Sequence, residues 1–142
     1  IHHPHSQIVG FENYDYHDDI KLYHLQGTPI IEEDGIEINL STRPIIGFYE
    51  VNLILGNKEK LPEFVRYMQL VAHYFIHDFV WRNESYNIFF YDFPGDSRLF
   101  VKIVPRFLTN PLYVGYMIAQ VANKEHQQRV MEKLRTILSE RK

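Results

Sequence analysis

Asp34-Gly35 constrains this sequence more than any other pair of residues. It stands between Ile30-Ile31-Glu32-Glu33 and Ile36-Glu37-Ile38-Asn39-Leu40, two segments in which apolar and polar residues alternate. Asp-Gly accepts the positive φ angles of a two-residue hairpin turn, so it predicts two antiparallel strands joined tightly. Ser41-Thr42-Arg43-Pro44 turns the chain again, and the apolar run from Ile45 to Leu55 predicts a long strand that ends at Gly56-Asn57. Glu50 and Asn52 share one face of that strand. Two polar residues in such a run mark either the wall of a site or a half-exposed face.

The remainder fits the same sheet. Pro62 suits the first turn of a helix. Phe64, Val65, Met68, Ala72, Phe75, Ile76 and Phe79 then repeat at helical spacing to about Asn83, predicting a helix packed on the sheet. His73 and His77 share a face of it at a spacing that metals use, but no carboxylate motif accompanies them and surface histidines explain them better. Tyr86–Tyr91 and Arg98–Val104 read as strands flanking the turn residues Asp92-Phe93-Pro94-Gly95-Asp96. The order strand, hairpin, long strand, helix, hairpin gives an α+β fold, an antiparallel sheet with helices packed on one face.

With 142 residues, 45% of them apolar, the chain can bury a core as one domain. A net charge of −3 offers no footprint for nucleic acid. The absence of cysteine excludes a disulfide framework or a zinc–thiolate site within these residues. No apolar run is long enough for a membrane span and no signal peptide is visible, so the expected setting is cytoplasmic. Residues 11–28 show no period and read as a long surface connection. His17, His24, Asp15, Asp18 and Asp19 within it could hold a metal, with solvated loop residues the plainer account.

The candidate chemistry lies in the first residues, Ile1-His2-His3-Pro4-His5-Ser6-Gln7. Imidazole is a nucleophile at neutral pH and can carry a phosphoryl group covalently. Pro4 pushes His3 towards an extended backbone, so in a strand continuing through Gln7-Ile8-Val9-Gly10 the side chains of His3, His5 and Gln7 would share a face. That face would present a nucleophile at His5, an orienting neighbour at His3 and an amide donor at Gln7. The plainer alternatives are a solvated terminus or an affinity-tag remnant, and a tag would be a pure histidine run, which Pro4, Ser6 and Gln7 interrupt.

The stretch resembles the His-Pro-His-x-Gln motif of galactose-1-phosphate uridylyltransferases, a branch of the histidine-triad superfamily. A second stretch, Val101-Lys102-Ile103-Val104-Pro105-Arg106 followed by Val114-Gly115-Tyr116, is similar to the C-terminal half of the same enzymes. The resemblance implies a histidine-triad-like domain over residues 1–142, the C-terminal part of a longer chain. It implies a nucleotidyltransferase acting on a nucleotide sugar or sugar phosphate. His5 would take up the nucleotidyl group, His3 would support it and Gln7 would hold the phosphoryl oxygens. Ser6 stands where the family has glycine, and Tyr116 would touch the sugar phosphate. Asn123 would do the same, or would cap the helix bearing Val130, Met131, Leu134, Ile137 and Leu138. Arg43, Lys102 and Arg106 are further candidate phosphate partners.

Departures from the family matter too. Two metal-binding histidines of the family correspond here to Phe100 and Lys102, so no metal or other cofactor is expected within this chain. Zinc belongs, if anywhere, to a preceding part that often bears a Cys-x-x-Cys site. The family's sugar-reading glutamate is Met117 here, and a lysine ahead of it is Pro111, which puts galactose specificity in doubt. The resemblance also implies a homodimer with Tyr116 near the partner's His5. A hydrolase of the same fold and a non-catalytic nucleotide-binding module remain as alternatives.

Overall fold

The computed structural model describes residues 5–45, 49–106 and 110–140. Five strands form one antiparallel sheet: β1 (Gly27–Glu33), β2 (Ile36–Ser41), β3 (Val51–Leu55), β4 (Tyr86–Phe93) and β5 (Asp96–Pro105), in the order β1-β2-β3-β5-β4. Helix α1 (Leu61–His77) connects β3 to β4, a short helix α2 (Pro111–Tyr116) follows β5, and α3 (Lys124–Glu140) comes last. The fold is α+β, as the sequence predicts.

Asp34-Gly35 makes its turn with Gly35 at φ 82°, and Gly95 at φ 78° does the same between β4 and β5. Positive φ is accessible to glycine without the Cβ clash that other residues meet. β1 forms one edge of the sheet, and its ladder with β2 shifts register between Pro29 and Ile31. β3 is shorter than predicted. It begins at Val51, and Tyr49 and Glu50 lie outside any strand, while residues 46–48 fall outside the described part.

Alternation sorts the sheet into two faces. Ile36, Ile38, Val51, Leu53, Leu55, Val101 and Ile103 pack with Phe64 and Phe75 of α1. The apolar repeat places α1, but the helix stops at His77 instead of running to Asn83, and Asn83 donates from Nδ2 to the Phe75 carbonyl, 3.1 Å away. That bond turns the chain back beneath the last turn of α1.

The opposite face is covered by a segment that looked like surface connection. Tyr16, Ile20 and Leu25 from it are buried with Ile54, Phe89, Tyr91, Phe100 and Val104 of the sheet and Val114 of α2. A 3-10 turn, Leu22–Leu25, completes this strap. The apolar residues at 16, 20 and 25, not its aspartates, fix it on the sheet.

Beneath the strap runs a polar row. Asn39, Asn52 and Lys102 stand opposite one another on β2, β3 and β5, all essentially buried. Lys102 Nζ lies 2.8 Å from Glu50 Oε1 and donates to the His24 carbonyl at 2.8 Å. Both Lys102 and Glu50 are 0% exposed. Burial holds the Lys102 ammonium pKa below its usual value, and the Glu50 carboxylate opposes that shift. Asn39 Nδ2 donates to the Leu25 carbonyl, and Ser41 Oγ donates to that of His24. The strap is therefore held by hydrogen bonds to its carbonyls as well as by its apolar residues.

Removing one partner of a buried ion pair leaves an uncompensated charge, which costs about 3–5 kcal/mol. Lys102→Met should destabilise the protein by that amount in urea unfolding. The double variant Glu50→Gln/Lys102→Met should recover most of the loss, because neither charge is then stranded.

Candidate functional site

The N-terminal arm has no regular secondary structure among its described residues. Residues 5–10 form no strand, and His5, Ser6 and Gln7 are exposed. The strand expected through Gln7–Gly10 does not form: among the described residues no strand pairs with it, and Ile8 is 97% exposed. His3 lies outside the described residues, so a face shared by His3 and His5 is not defined.

Aromatic packing fastens the arm further along. The Phe11 ring meets Tyr116 edge-on at 5.1 Å between centroids and Tyr14 at 5.5 Å. Tyr116 also contacts the rings of Tyr16 at 5.3 Å, Tyr91 at 5.3 Å and Phe89 at 5.8 Å. Its hydroxyl donates to the Phe90 carbonyl at 3.0 Å. The arm, the strap and α2 thus converge on one tyrosine, on the sheet face away from α1.

Gly115 lets α2 approach that closely. A Cβ there would stand 2.3 Å from a ring carbon of Phe89, and the Gly115 carbonyl accepts from the Tyr91 hydroxyl at 2.6 Å. Any side chain at 115 would push Tyr116 off the aromatic cluster, an overpacking cost of about 1–3 kcal/mol. Met117 closes the helix in the left-handed region at φ 56°, its N–H bonded to the Tyr113 carbonyl. Val114-Gly115-Tyr116 is thus a packing device in its own right.

The other candidates divide by task. Asn123 Oδ1 accepts from the His126 N–H at 3.1 Å, which is the capping role at the start of α3. Lys102 is consumed by Glu50 and His24. Arg43 is exposed with its guanidinium over the Tyr23 ring, 4.9 Å from the centroid, and Arg106 is exposed just beyond β5. Phe100 is fully buried in the core. Among the described residues no group of three or more His, Cys, Asp or Glu could hold a metal ion.

Asp15 and His17, which the sequence offers as metal ligands or solvated loop residues, form a second charged cluster with Asp92 at the start of the strap. His17 Nδ1 lies 2.6 Å from Asp15 Oδ1, and its Nε2 lies 2.7 Å from the Asp92 carbonyl. Both contacts are hydrogen bonds together only if both ring nitrogens carry protons. The hydrogen bond to the Asp92 carbonyl raises the His17 pKa most; burial opposes it, and the Asp15 carboxylate adds to the rise. Tyr16 locks the same corner, its hydroxyl 2.5 Å from Asp92 Oδ1 and accepting from the Asp92 N–H at 2.8 Å. The run Asp15-Tyr16-His17 was visible, but its partner at Asp92 lies across the sheet and leaves no local signal.

A family model described as "Domain of unknown function (DUF4931) C-terminal domain" matches residues 17–138. The chain belongs to the DUF4931 family. The crystal structure of a DUF4931 family protein from Bacillus cereus is similar to it, with a TM-score of 0.63 and 37% sequence identity. That likeness covers 86% of this chain and 55% of the Bacillus cereus chain, so the domain spans about half the length of its solved relative. A di-/tripeptide transporter from Lactobacillus helveticus is 33% identical over 55 residues, which is 39% of this chain and 11% of that protein. The DUF4931 match begins at His17, at the strap, and so takes in the sheet, α1, α2 and nearly all of α3. No helix among the described residues is long and apolar enough to cross a membrane.

The His17 cluster makes a definite pH prediction. A histidine whose folded pKa is raised adds stability that is fully present below the unfolded value, about 6.5, and is lost as pH rises through the folded pKa. NMR titration should place the His17 midpoint above that of a solvated histidine. Asp15→Asn should lower the midpoint, and raising the pH through it should speed amide exchange across residues 15–21.

Proposed function

We propose that this domain belongs to a nucleotidyltransferase that carries a nucleotidyl group on His5. The supporting observation is the Phe11–Tyr116 contact. It ties the arm bearing His5, Ser6 and Gln7 to the helix whose Val-Gly-Tyr resembles the sugar-phosphate contact of uridylyltransferases. The six residues from His5 to Phe11 span at most about 20 Å extended, so both parts fall within reach of one nucleotide sugar.

The chemistry has two steps. An imidazole nitrogen of His5 attacks the α-phosphorus of a nucleotide sugar, a phosphorus–nitrogen bond forms, and the sugar phosphate leaves with the electrons of the broken phosphorus–oxygen bond. A second phosphate oxygen then attacks phosphorus and releases His5. Gln7 would donate to the non-bridging oxygens, the main service a protein gives phosphoryl transfer. Of the cationic candidates, exposed Arg43 and Arg106 suit a phosphate. Lys102 does not, being buried on Glu50.

One set of observations favours a second reading, a nucleotide-binding module without turnover. Tyr116, Asn123 and Lys102 each have a structural bond of their own, to Phe90, His126 and Glu50. Homodimer formation is a separate proposal. Phe11 reaches Tyr116 of its own chain, so bringing the arm to α2 requires no partner, and light scattering of the full-length protein at tens of micromolar decides the matter.

Intact mass of the full-length protein after incubation with nucleotide sugars should show the gain of one nucleotidyl group, mapped to His5. His5→Ala should abolish the adduct and leave the fold intact. Gln7→Ala should slow its formation by about 10²–10³, as for loss of one oxyanion donor. Binding without any adduct would favour the second reading, and an adduct on another histidine would sink the assignment. Release of sugar phosphate without an acceptor would indicate a hydrolase.

A further inference from the structure

Helix α3 is amphipathic, and among the described residues no element packs extensively on its apolar side. Val130, Met131, Leu134, Ile137 and Leu138 are 38–64% exposed, and no residue of the helix is buried. None of the principal packings between elements of the fold involves α3. Seventeen residues with ordinary propensities are marginal as an isolated helix in water, and most such helices owe their stability to a packed face. The stripe spans two turns and more on one side, whereas Lys124, Glu125, Arg129, Glu132 and Arg135 supply the polar remainder.

Where the chain enters and where α3 leaves are linked. The exposed arm, with Ile8 and Val9 uncovered, is pinned by Phe11 to Tyr116. The lead into α3 starts from the same residue, through the left-handed Met117 and Asn123. The solved DUF4931 protein is longer than this domain, which covers 55% of it, and the matching family model is itself a C-terminal domain. A preceding domain would therefore arrive through the arm, at the corner from which α3 departs. The arm is pinned at Tyr116 and the lead into α3 begins there, and both the arm and α3 carry exposed apolar residues.

We propose that the domain preceding this one in DUF4931 proteins seats on the Val130–Leu138 stripe of α3 and on Ile8 and Val9. The inference does not depend on nucleotidyl chemistry. A self-associating helix would cover the stripe but would leave the arm bare, which is why the preceding domain is the better occupant.

The test uses a full-length DUF4931 protein containing this chain. Amide exchange should show α3 protected at a level unchanged by tenfold dilution. Lysine cross-linking in a mixture of ¹⁴N- and ¹⁵N-labelled protein should join Lys133 to the preceding domain with both peptides carrying the same label. Ile137→Asp should speed α3 exchange at least tenfold and leave the β3 and β5 amides protected, so global unfolding is distinguished from undocking. Glu132→Gln, on the polar face, should change neither. Rapid exchange of α3 in the unmodified full-length protein would overturn the proposal. So would cross-links joining different labels, which would assign the stripe to a second copy.

Discussion

A buried lysine is what the rest of this domain is arranged around. Lys102 sits on the interior strand β5, wholly out of water, and an ammonium in that position is tolerable only if it is paired and hydrogen-bonded. Glu50 neutralises it, and the His24 carbonyl accepts from it. Those two partners fix two stretches of chain outside the sheet's strands: the approach to β3 and the strap across the sheet. Asn39 and Ser41 then hold the adjoining carbonyls. The apolar side of the sheet, packed by α1, requires only hydrophobic residues of suitable size. The other side has a single register in which its polar groups meet, since a one-residue slip would turn Lys102 towards α1.

Much of the sheet could be read directly. Asp34-Gly35 and Pro94-Gly95 announce two hairpins, and the repeat from Phe64 to Phe75 announces the helix over them. Such signals are local: a turn needs two residues and a helix face needs four. The strap was not legible, because Tyr16, Ile20 and Leu25 follow neither a period of two nor one of 3.6. Their burial is decided by what the sheet presents to them, not by their neighbours in sequence. Glu50 and Asn52 were noticed as polar residues in an apolar run, but the choice between a site wall and an exposed face omitted the actual outcome. They are buried because Lys102, fifty residues on, is buried with them.

The candidate site was legible in a different measure. His5, Ser6 and Gln7 carry their meaning in residue type and spacing, and their exposure leaves that meaning open to chemistry. Phe11, which fastens them to α2, had no motif to reveal it. Tyr116 and Asn123 show how one residue can satisfy two descriptions. Each stands where a phosphate contact is implied, and each has a hydrogen bond that the fold itself uses. Membership in the DUF4931 family accounts for the strap, sheet and helices over residues 17–138, whereas the arm lies ahead of the matched region.

Pro29 and the register shift beside it have a consequence at the edge of the sheet. A proline has no N–H to offer a further strand, and a shifted ladder bends the edge away from flat pairing. Glu32 and Glu33 add like charge to the same rim. Another chain approaching β1 in solution would meet an interrupted, repelling border instead of a template.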